Sequence, residues 1–575
     1  LTHFPPADTY NAIVSVEEVL KHYTNFKDKD RANESCMLFG FGDGGGGPTE
    51  EMLERLRRMR DIPGLPDVAI REPQEFFARC EKDIVDPLVW SGELYFEFHR
   101  GTYTTQAANK RDNRRSEEIL HDVEFLGAMA WNLRGVPYPQ AQINRLWETV
   151  LLNQFHDIIP GSSITEVYVD SARDYAEVLG SAEALRTDAI RELFPAESGE
   201  QDKNTLALNT LNWPRREVAV HPDGHGLFWA GAPAYGYAVT APETATDAPV
   251  TVEQSADGFV LENSLVRAQF NTESHLTSFI DKRHDREAIA PDAKGNQFVL
   301  FEDLPDQYEA WDVDLYHLEK RRNAGEVRSM RIVEADPLRA TVEVELFVSP
   351  KASLVQRISL TAESPRLDFE TRADWTEKHQ FLKVEFPLAL RSDHATYEIQ
   401  FGHVRRPTHF NTSWDFARFE VSAHRWADLS ESNFGVALLN DSKYGYACHG
   451  NVLRLSLLRS PKSPDPTADM GRHFFRYAIF PHEGGPQNGG VIPAAAAFNQ
   501  PLRVFSVSAK PRSQSFFSVD NPAVVLDTVK KAEDSGELIL RLYESHGAHQ
   551  TATLSTSAAV KSVARVNLLE GEDHP

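Results

Sequence analysis

The chain has 575 residues, too many for one core, so about three or four domains are expected. A formal net charge of −25 argues against nucleic acid and anionic membranes as partners, because both attract a positive face. Three widely spaced cysteines, Cys36, Cys80 and Cys448, form neither a disulfide framework nor a thiolate metal site, which fits a reducing, cytoplasmic setting.

Residues 1 to 75 mix short extended pieces with helices, as the later part of an α/β domain would. The opening run Leu1 to Tyr10 reads like the middle of a domain, and the closing run Arg565 to Glu570 like a strand that is finishing, so a fragment of a longer chain is expected. The pattern predicts a helix over 14–23, a buried strand over 37–42, and a sharp glycine-rich turn from Asp43 to Thr49 that leads into a helix over 50–61. Strand, turn, helix is the layout in which α/β enzymes place chemistry at strand ends. The glycine run lacks the Lys-Ser/Thr ending of a P-loop and the spacing of a dinucleotide site. Two readings remain, a plain turn, or a loop whose point is Asp43 and whose glycines let a ligand come close to the backbone.

Residues 76 to 200 are mainly helical. Leu94 to His99 alternates like a strand, and the polar, basic segment Arg100 to Arg111 that follows has the composition of a solvated loop. Ile119, Val123, Leu126 and Ala130 mark one helix, 140–158 a second, and Ile164, Tyr168, Tyr175, Leu179 and Ala182 a third, which together predict a three-helix bundle. In the second helix Ile143, Leu146, Trp147, Val150, Leu151 and Phe155 form one apolar stripe. On the opposite face His156 stacks above Leu152, roughly 160° from the stripe, which predicts cover on both sides.

That helix ends in His156-Asp157 against the stop Pro160-Gly161. An imidazole and a carboxylate at one helix end can supply a metal ligand and a substrate hydrogen bond. Equally, the histidine can serve the helix dipole and the aspartate solvate the turn.

From 201 onward the periodicity changes to two. Segments such as 206–209, 340–347 and 384–388 alternate between turn residues, which predicts antiparallel β-sandwich, and its length implies at least two sandwiches. The stretches 309–314, 411–416 and 443–446 set Trp or Tyr beside acids or Lys, where they can hold a sugar or simply fill a core.

The words Asn153-Gln-Phe-His-Asp-Ile-Ile-Pro-Gly-Ser-Ser163 and Phe39-Gly-Phe-Gly-Asp-Gly-Gly-Gly-Gly-Pro-Thr49 resemble motifs of glycoside hydrolase family 38, the α-mannosidases, in its cytosolic and bacterial branch. The segment 100–111, the three β-region stretches, and His473 to Tyr477 with Pro481-His482 are similar to the same family. The resemblance implies a multidomain α/β, α and β chain: the end of an α/β-barrel-like catalytic domain over 1–75, a three-helix bundle over 76–200, and β-sandwich domains over 201–575.

It further implies a retaining, divalent-metal-dependent hydrolysis of terminal α-mannosyl residues from oligosaccharides. Asp43 would be general acid/base with a raised pKa, His156 a ligand of zinc or cobalt, and Asp157 an acceptor from substrate hydroxyls. Tyr103 and Thr104 are candidate substrate contacts. A homo-oligomer is expected, with no nucleic-acid or membrane partner. The family's His-x-Asp-x-Gly-Trp pattern has no match in this chain, so an incomplete, inactive piece of the enzyme is expected. The alternatives are a hydrolase of mannosyl-glycerate compounds and a non-catalytic carbohydrate-binding β-sandwich protein.

Overall fold

A computed structural model describes residues 1–195 and 204–571, in two compact units, Leu1–Leu94 and Tyr95–Pro575. The expected boundary at 200/201 lies outside the described residues. Among the described residues no helix is long and apolar enough to cross a membrane.

The first unit holds three helices, α1 (Val16–Asn25), α2 (Glu50–Met59) and α3 (Pro73–Asp83). Ser15 and Glu18 form a reciprocal capping box, which starts α1 two residues after the sequence suggests. Thr49 caps α2 by accepting from the Met52 N–H. Val14, Val19, Met52, Leu56 and Met59 make the core, with Met37 and Phe39 packed on it. The expected buried strand over 37–42 is not a strand. Its alternate side chains turn inward, but Leu38 and Phe41 are exposed, and it pairs only through isolated bridges, Ala12 with Phe39 and Phe41 with Gly47.

The second unit begins with three long helices, α4 (Ala107–Arg134), α5 (Gln140–Asn153) and α6 (Thr165–Leu193). Leu120 and Val123 of α4, Ile143, Leu146 and Val150 of α5, and Tyr175, Val178 and Ala182 of α6 share one core. Further along α4, Phe125, Leu126 and Met129 pack instead on Leu206, Leu208, Tyr235 and Phe516. Burial on two sides explains why α4 is only weakly amphipathic. Gly135, at φ +70°, ends it by donating to the Ala130 and Trp131 carbonyls.

The second helix is shorter than its stripe predicts. It stops at Asn153, and Leu151 and Phe155 are 60% and 57% exposed. Polar side chains take the inward positions instead. Asn153 is buried and donates to the Thr149 carbonyl, while Gln154 donates to Asn113 and Glu117 on α4. Leu152 is exposed as well, so within the described residues the far face is uncovered. Residues 94–99 are likewise not a strand: Glu97–His99 is a single 3₁₀ turn, and Tyr95 is anchored through its hydroxyl to the Glu420 carbonyl.

The β region is antiparallel as predicted. A nine-stranded and a six-stranded sheet share one core, the first giving Val342, Leu354, Phe369 and Tyr477, the second Phe298, Leu382, Val384 and Leu455. Separate five-stranded and four-stranded sheets flank the sequence of this pair.

Candidate functional site

Asp43 sits at the tip of a closed loop. Phe41 and Gly47 exchange backbone hydrogen bonds at 2.9 and 2.8 Å, and Gly45 N–H donates to the Gly42 carbonyl at 2.8 Å. Those N–H groups are therefore spent inside the loop and do not cradle an anion. Asp43 itself is left-handed, at φ +51°, and its carboxylate is exposed. The Tyr10 hydroxyl donates to Asp43 Oδ2 at 3.5 Å, and the neighbouring Asn11 accepts from the Gly42 N–H at 3.2 Å. A Cβ on Gly42 would lie 2.4 Å from that Asn11 oxygen, so a side chain there would displace the Asn11 amide from its hydrogen bond.

His156 and Asp157 stand in the turns that follow α5, not on the helix itself. The imidazole is 76% exposed, with Nε2 3.6 Å from Asp157 Oδ2. Asp157 is held more firmly: Ser162 donates its hydroxyl to Oδ1 at 2.6 Å, and the Tyr168 hydroxyl donates to the Asp157 carbonyl at 3.1 Å while accepting from the Ser163 N–H.

From α4, Asn109 donates to the Ile158 carbonyl at 3.2 Å, and the Lys110 ammonium to the carbonyls of Ile159 and Pro160 at 2.8 and 3.2 Å. Gly161, at φ +96°, passes so close to Thr105 that a Cβ would meet its carbonyl oxygen at 2.5 Å. The backbone of the turn is clamped while the His156 and Asp157 side chains are open to solvent. His99 is the next titratable neighbour. Burial holds its pKa below the usual imidazole value, against the pull of Asp312 and Asp157.

The segment 100–111 is not the solvated loop that its charge suggests. Arg100, Thr104, Thr105, Gln106, Asn109 and Lys110 are all buried. Arg100, Thr105 and Gln106 find partners in the β region. Arg100 donates to the Ala417 carbonyl, Thr105 to the Ala310 carbonyl, and Gln106 to Asp465. Both oxygens of Asp469 accept the first N–H groups of α4, from Gln106 at 2.8 Å and Ala107 at 2.7 Å. Behind them Arg459 and Asp303 pair at 2.6 Å with no exposure, and Arg459 also donates to Thr105 Oγ1 and the Ala310 carbonyl.

Thr104 is 3% exposed, and its hydroxyl, which makes no hydrogen bond, lies against Gly445 rather than toward solvent. Tyr103 is half-buried. Of the β-region stretches, Asp312 faces Arg100 at 3.5 Å, and Tyr444 packs under the Arg114 guanidinium. Lys443 is buried, its ammonium pushed down to about 8 by desolvation. Trp414 is exposed.

The structure thus brings His156 and Asp157 together, and places Tyr103 and Thr104 in the adjoining segment of the same unit. Asp43 belongs to the other unit and is described with Tyr10 alone. Tyr10, Lys110 and Ser162 have no predicted role in the sequence, and Tyr168 is predicted only as a position of the third helix. Ser162 lies inside the word 153–163 and Lys110 inside the segment 100–111, but nothing in their spacing says what they touch.

The donor set decides about a cation. Among the described residues no three His, Cys, Asp or Glu side chains come together as a metal cage. His156 with Asp157 supplies at most two donors, short of the three that a catalytic zinc site uses, so these residues alone do not fit a resident ion.

Comparison with known proteins gives matches along most of the chain. The glycosyl hydrolases family 38 N-terminal domain matches residues 1–93, the α-mannosidase middle domain 97–193, the family 38 C-terminal domain 261–467 and the family 38 C-terminal β-sandwich domain 523–575. The chain is 47% identical to alpha-mannosidase 2C1 of Homo sapiens over 589 residues, which cover 100% of this chain and 56% of the human protein. It is 38% identical to alpha-mannosidase G of Dictyostelium discoideum, covering 99% of this chain and 58% of that protein. The chain therefore spans little more than half the length of these relatives. Among solved structures, an α-mannosidase from Enterococcus faecalis V583 superposes with a TM-score of 0.80 at 14% identity, over 98% of this chain and 76% of that one, which speaks for the fold.

Proposed function

Because the chain belongs to glycoside hydrolase family 38, we propose that it forms part of an α-mannosidase that releases terminal α-D-mannosyl residues from oligosaccharides with retention of configuration. The observation that carries the reading is the 47% identity to a human α-mannosidase along the whole of this chain. The exposed His156–Asp157 pair on its clamped turn, and the exposed Asp43 on its closed loop, support it in geometry.

In this reading Asp43 gives its proton to the leaving glycosidic oxygen and later takes one from the attacking water, as the acid/base carboxyl of a retaining enzyme does. Asp157, with Oδ1 engaged by Ser162, offers Oδ2 to a mannosyl hydroxyl. His156 stands beside it as a donor or cation ligand. No nucleophile is assigned to the described residues. Zinc or cobalt at His156 would need donors from outside them. Tyr103 belongs to the proposed substrate wall, and Thr104 acts behind it through packing.

The finer division, with 1–75 closing an α/β-barrel-like catalytic domain, 76–200 a three-helix bundle and 201–575 the sandwich region, is part of the same proposal. So are a homo-oligomeric state and a cytoplasmic setting, the latter supported by three free thiols.

The test is nitrophenol release from p-nitrophenyl α-mannoside by the full-length protein, with and without chelator, and by His156→Ala. Release that chelator and His156→Ala both abolish supports the reading. Absence of turnover overturns the activity, and chelator-insensitive turnover overturns the cation assignment.

A further inference from the structure

We propose that Lys110 is a positioning residue, whose ammonium sets the place of the His156–Asp157 turn by joining the Thr105, Ile159 and Pro160 carbonyls. The inference rests on the reading that this turn meets substrate. Lys110 lies in the first turn of α4, with its side chain buried. Its Nζ is 2.5 Å from the Thr105 carbonyl, 2.8 Å from that of Ile159 and 3.2 Å from that of Pro160. An ammonium has three N–H donors and here finds three acceptors, so the count closes.

The three carbonyls belong to two different stretches. Thr105 is fixed to the β region through Ala310 and Arg459. Ile159 and Pro160 immediately follow the functional pair. Among the described residues Lys110 is the one charged side chain that bonds to both stretches, and it transmits the position of the first to the second. Packing alone does not call for a charge at this place. Burying an ammonium costs free energy that an apolar side chain of similar volume avoids. That cost shows in its titration, which desolvation pushes down to about 7, with Asp469 opposing and Lys443 and Arg459 reinforcing. The other ties to the turn are neutral: the Asn109 amide, the Ser162 and Tyr168 hydroxyls, and the close pass of Gly161.

The experiment uses the full-length protein and its Lys110→Met variant, which keeps the volume and removes all three donors. Two quantities are read, amide hydrogen exchange over 155–163 against that over 119–130, and kcat/KM on p-nitrophenyl α-mannoside. The expected result is exchange faster by about tenfold or more in 155–163 only, with kcat/KM lower by about 10²-fold, the scale of a misplaced contact. In Lys110→Ala, ethylammonium at fixed ionic strength restores part of kcat/KM, and tetramethylammonium, which has no N–H, does not. A variant with unchanged exchange at 155–163, or with kcat/KM within threefold of the parent, overturns the proposal.

If the parent hydrolyses no mannoside, the functional reading falls, and the exchange measurement alone still decides whether Lys110 holds the turn. Should Lys110→Met fail to fold, Gly161→Ala tests the same junction, because its methyl group would displace the Thr105 carbonyl. Faster exchange confined to 155–163 then supports the proposal and unchanged exchange overturns it.

Discussion

Ser162 donates its hydroxyl to Oδ1 of Asp157 at 2.6 Å, which leaves Oδ2 turned toward His156 at 3.6 Å. The two oxygens of one carboxylate therefore have different duties, one fixed by the protein and one available. Ser162→Ala frees the carboxylate to rotate without removing it. Loss of one hydrogen bond to a charged group is worth about 1.5–3 kcal/mol, so kcat/KM on p-nitrophenyl α-mannoside should fall by about 10–100-fold, and Asp157→Ala should cost more. Steady-state kinetics of the two variants check the order. Equal losses would mean that Ser162 does more than orient the carboxylate.

Asp43 is expected to matter according to how much help the leaving group needs. Its replacement by Asn removes the transferable proton, and general acid catalysis of this kind is worth about 10²–10⁴-fold. Nitrophenolate leaves readily without a proton, whereas a sugar alkoxide does not. The loss in Asp43→Asn should therefore be larger on an α-linked mannose disaccharide than on the nitrophenyl substrate. Tyr10→Phe, which removes only a long contact of 3.5 Å at an exposed position, should cost less than about fivefold on either.

Stability should depend strongly on the sealed pair Asp303–Arg459. With both side chains closed to solvent, removing one partner strands a buried charge, which costs about 3–5 kcal/mol. Arg459→Met also removes the hydrogen bonds to Thr105 Oγ1 and the Ala310 carbonyl. Its urea midpoint should drop accordingly, and the double variant Asp303→Leu/Arg459→Met should recover part of the loss. A double variant as unstable as the sum of the singles would show that the pair is not coupled.

Glu118 gives a pH dependence with a definite sign. Burial pushes its carboxyl up to about 8, with Arg114 opposing. A folded pKa above the unfolded value of about 4.3 means that the native state holds a proton the unfolded chain has lost. The stability this contributes is complete below about pH 4 and is lost as pH rises toward 8. Glu118→Gln is neutral throughout. Its melting temperature relative to the parent should therefore rise between pH 5 and pH 8, a difference in which all other titrating groups cancel.

Much of the fold is legible in local pattern. The alternation over 340–347 and 384–388 marks real strands, and Ile143, Leu146 and Val150 mark the inner face of a real helix, because periodicity reports which side is buried. The pattern misleads where polar groups go inside. Asn153 turns inward to Thr149 and Asp174 and Gln154 toward α4, so the stripe's last members, Leu151 and Phe155, face out.

The segment 100–111 misleads for a different reason. Arg100, the Gln106 amide and the first N–H groups of α4 are answered by Asp312, Ala417, Asp465 and Asp469, hundreds of residues downstream, and no local window sees them. The words around Asp43 and His156 single out those residues. They do not reveal that Ser162, Tyr168 and Lys110 fix the turn, since that information lies in three-dimensional contacts.

The Asp469 carboxylate that receives the first N–H groups of α4 lies 363 residues after Gln106. A ribosome adding about 5–20 residues per second takes roughly 20–70 s to travel that far. Throughout that interval the nascent helix has a bare, positively polarised end, and Arg100 and Arg114 have none of their later acceptors from the β region. The start of α4 is therefore completed only after the β region that carries Asp469 has been synthesised.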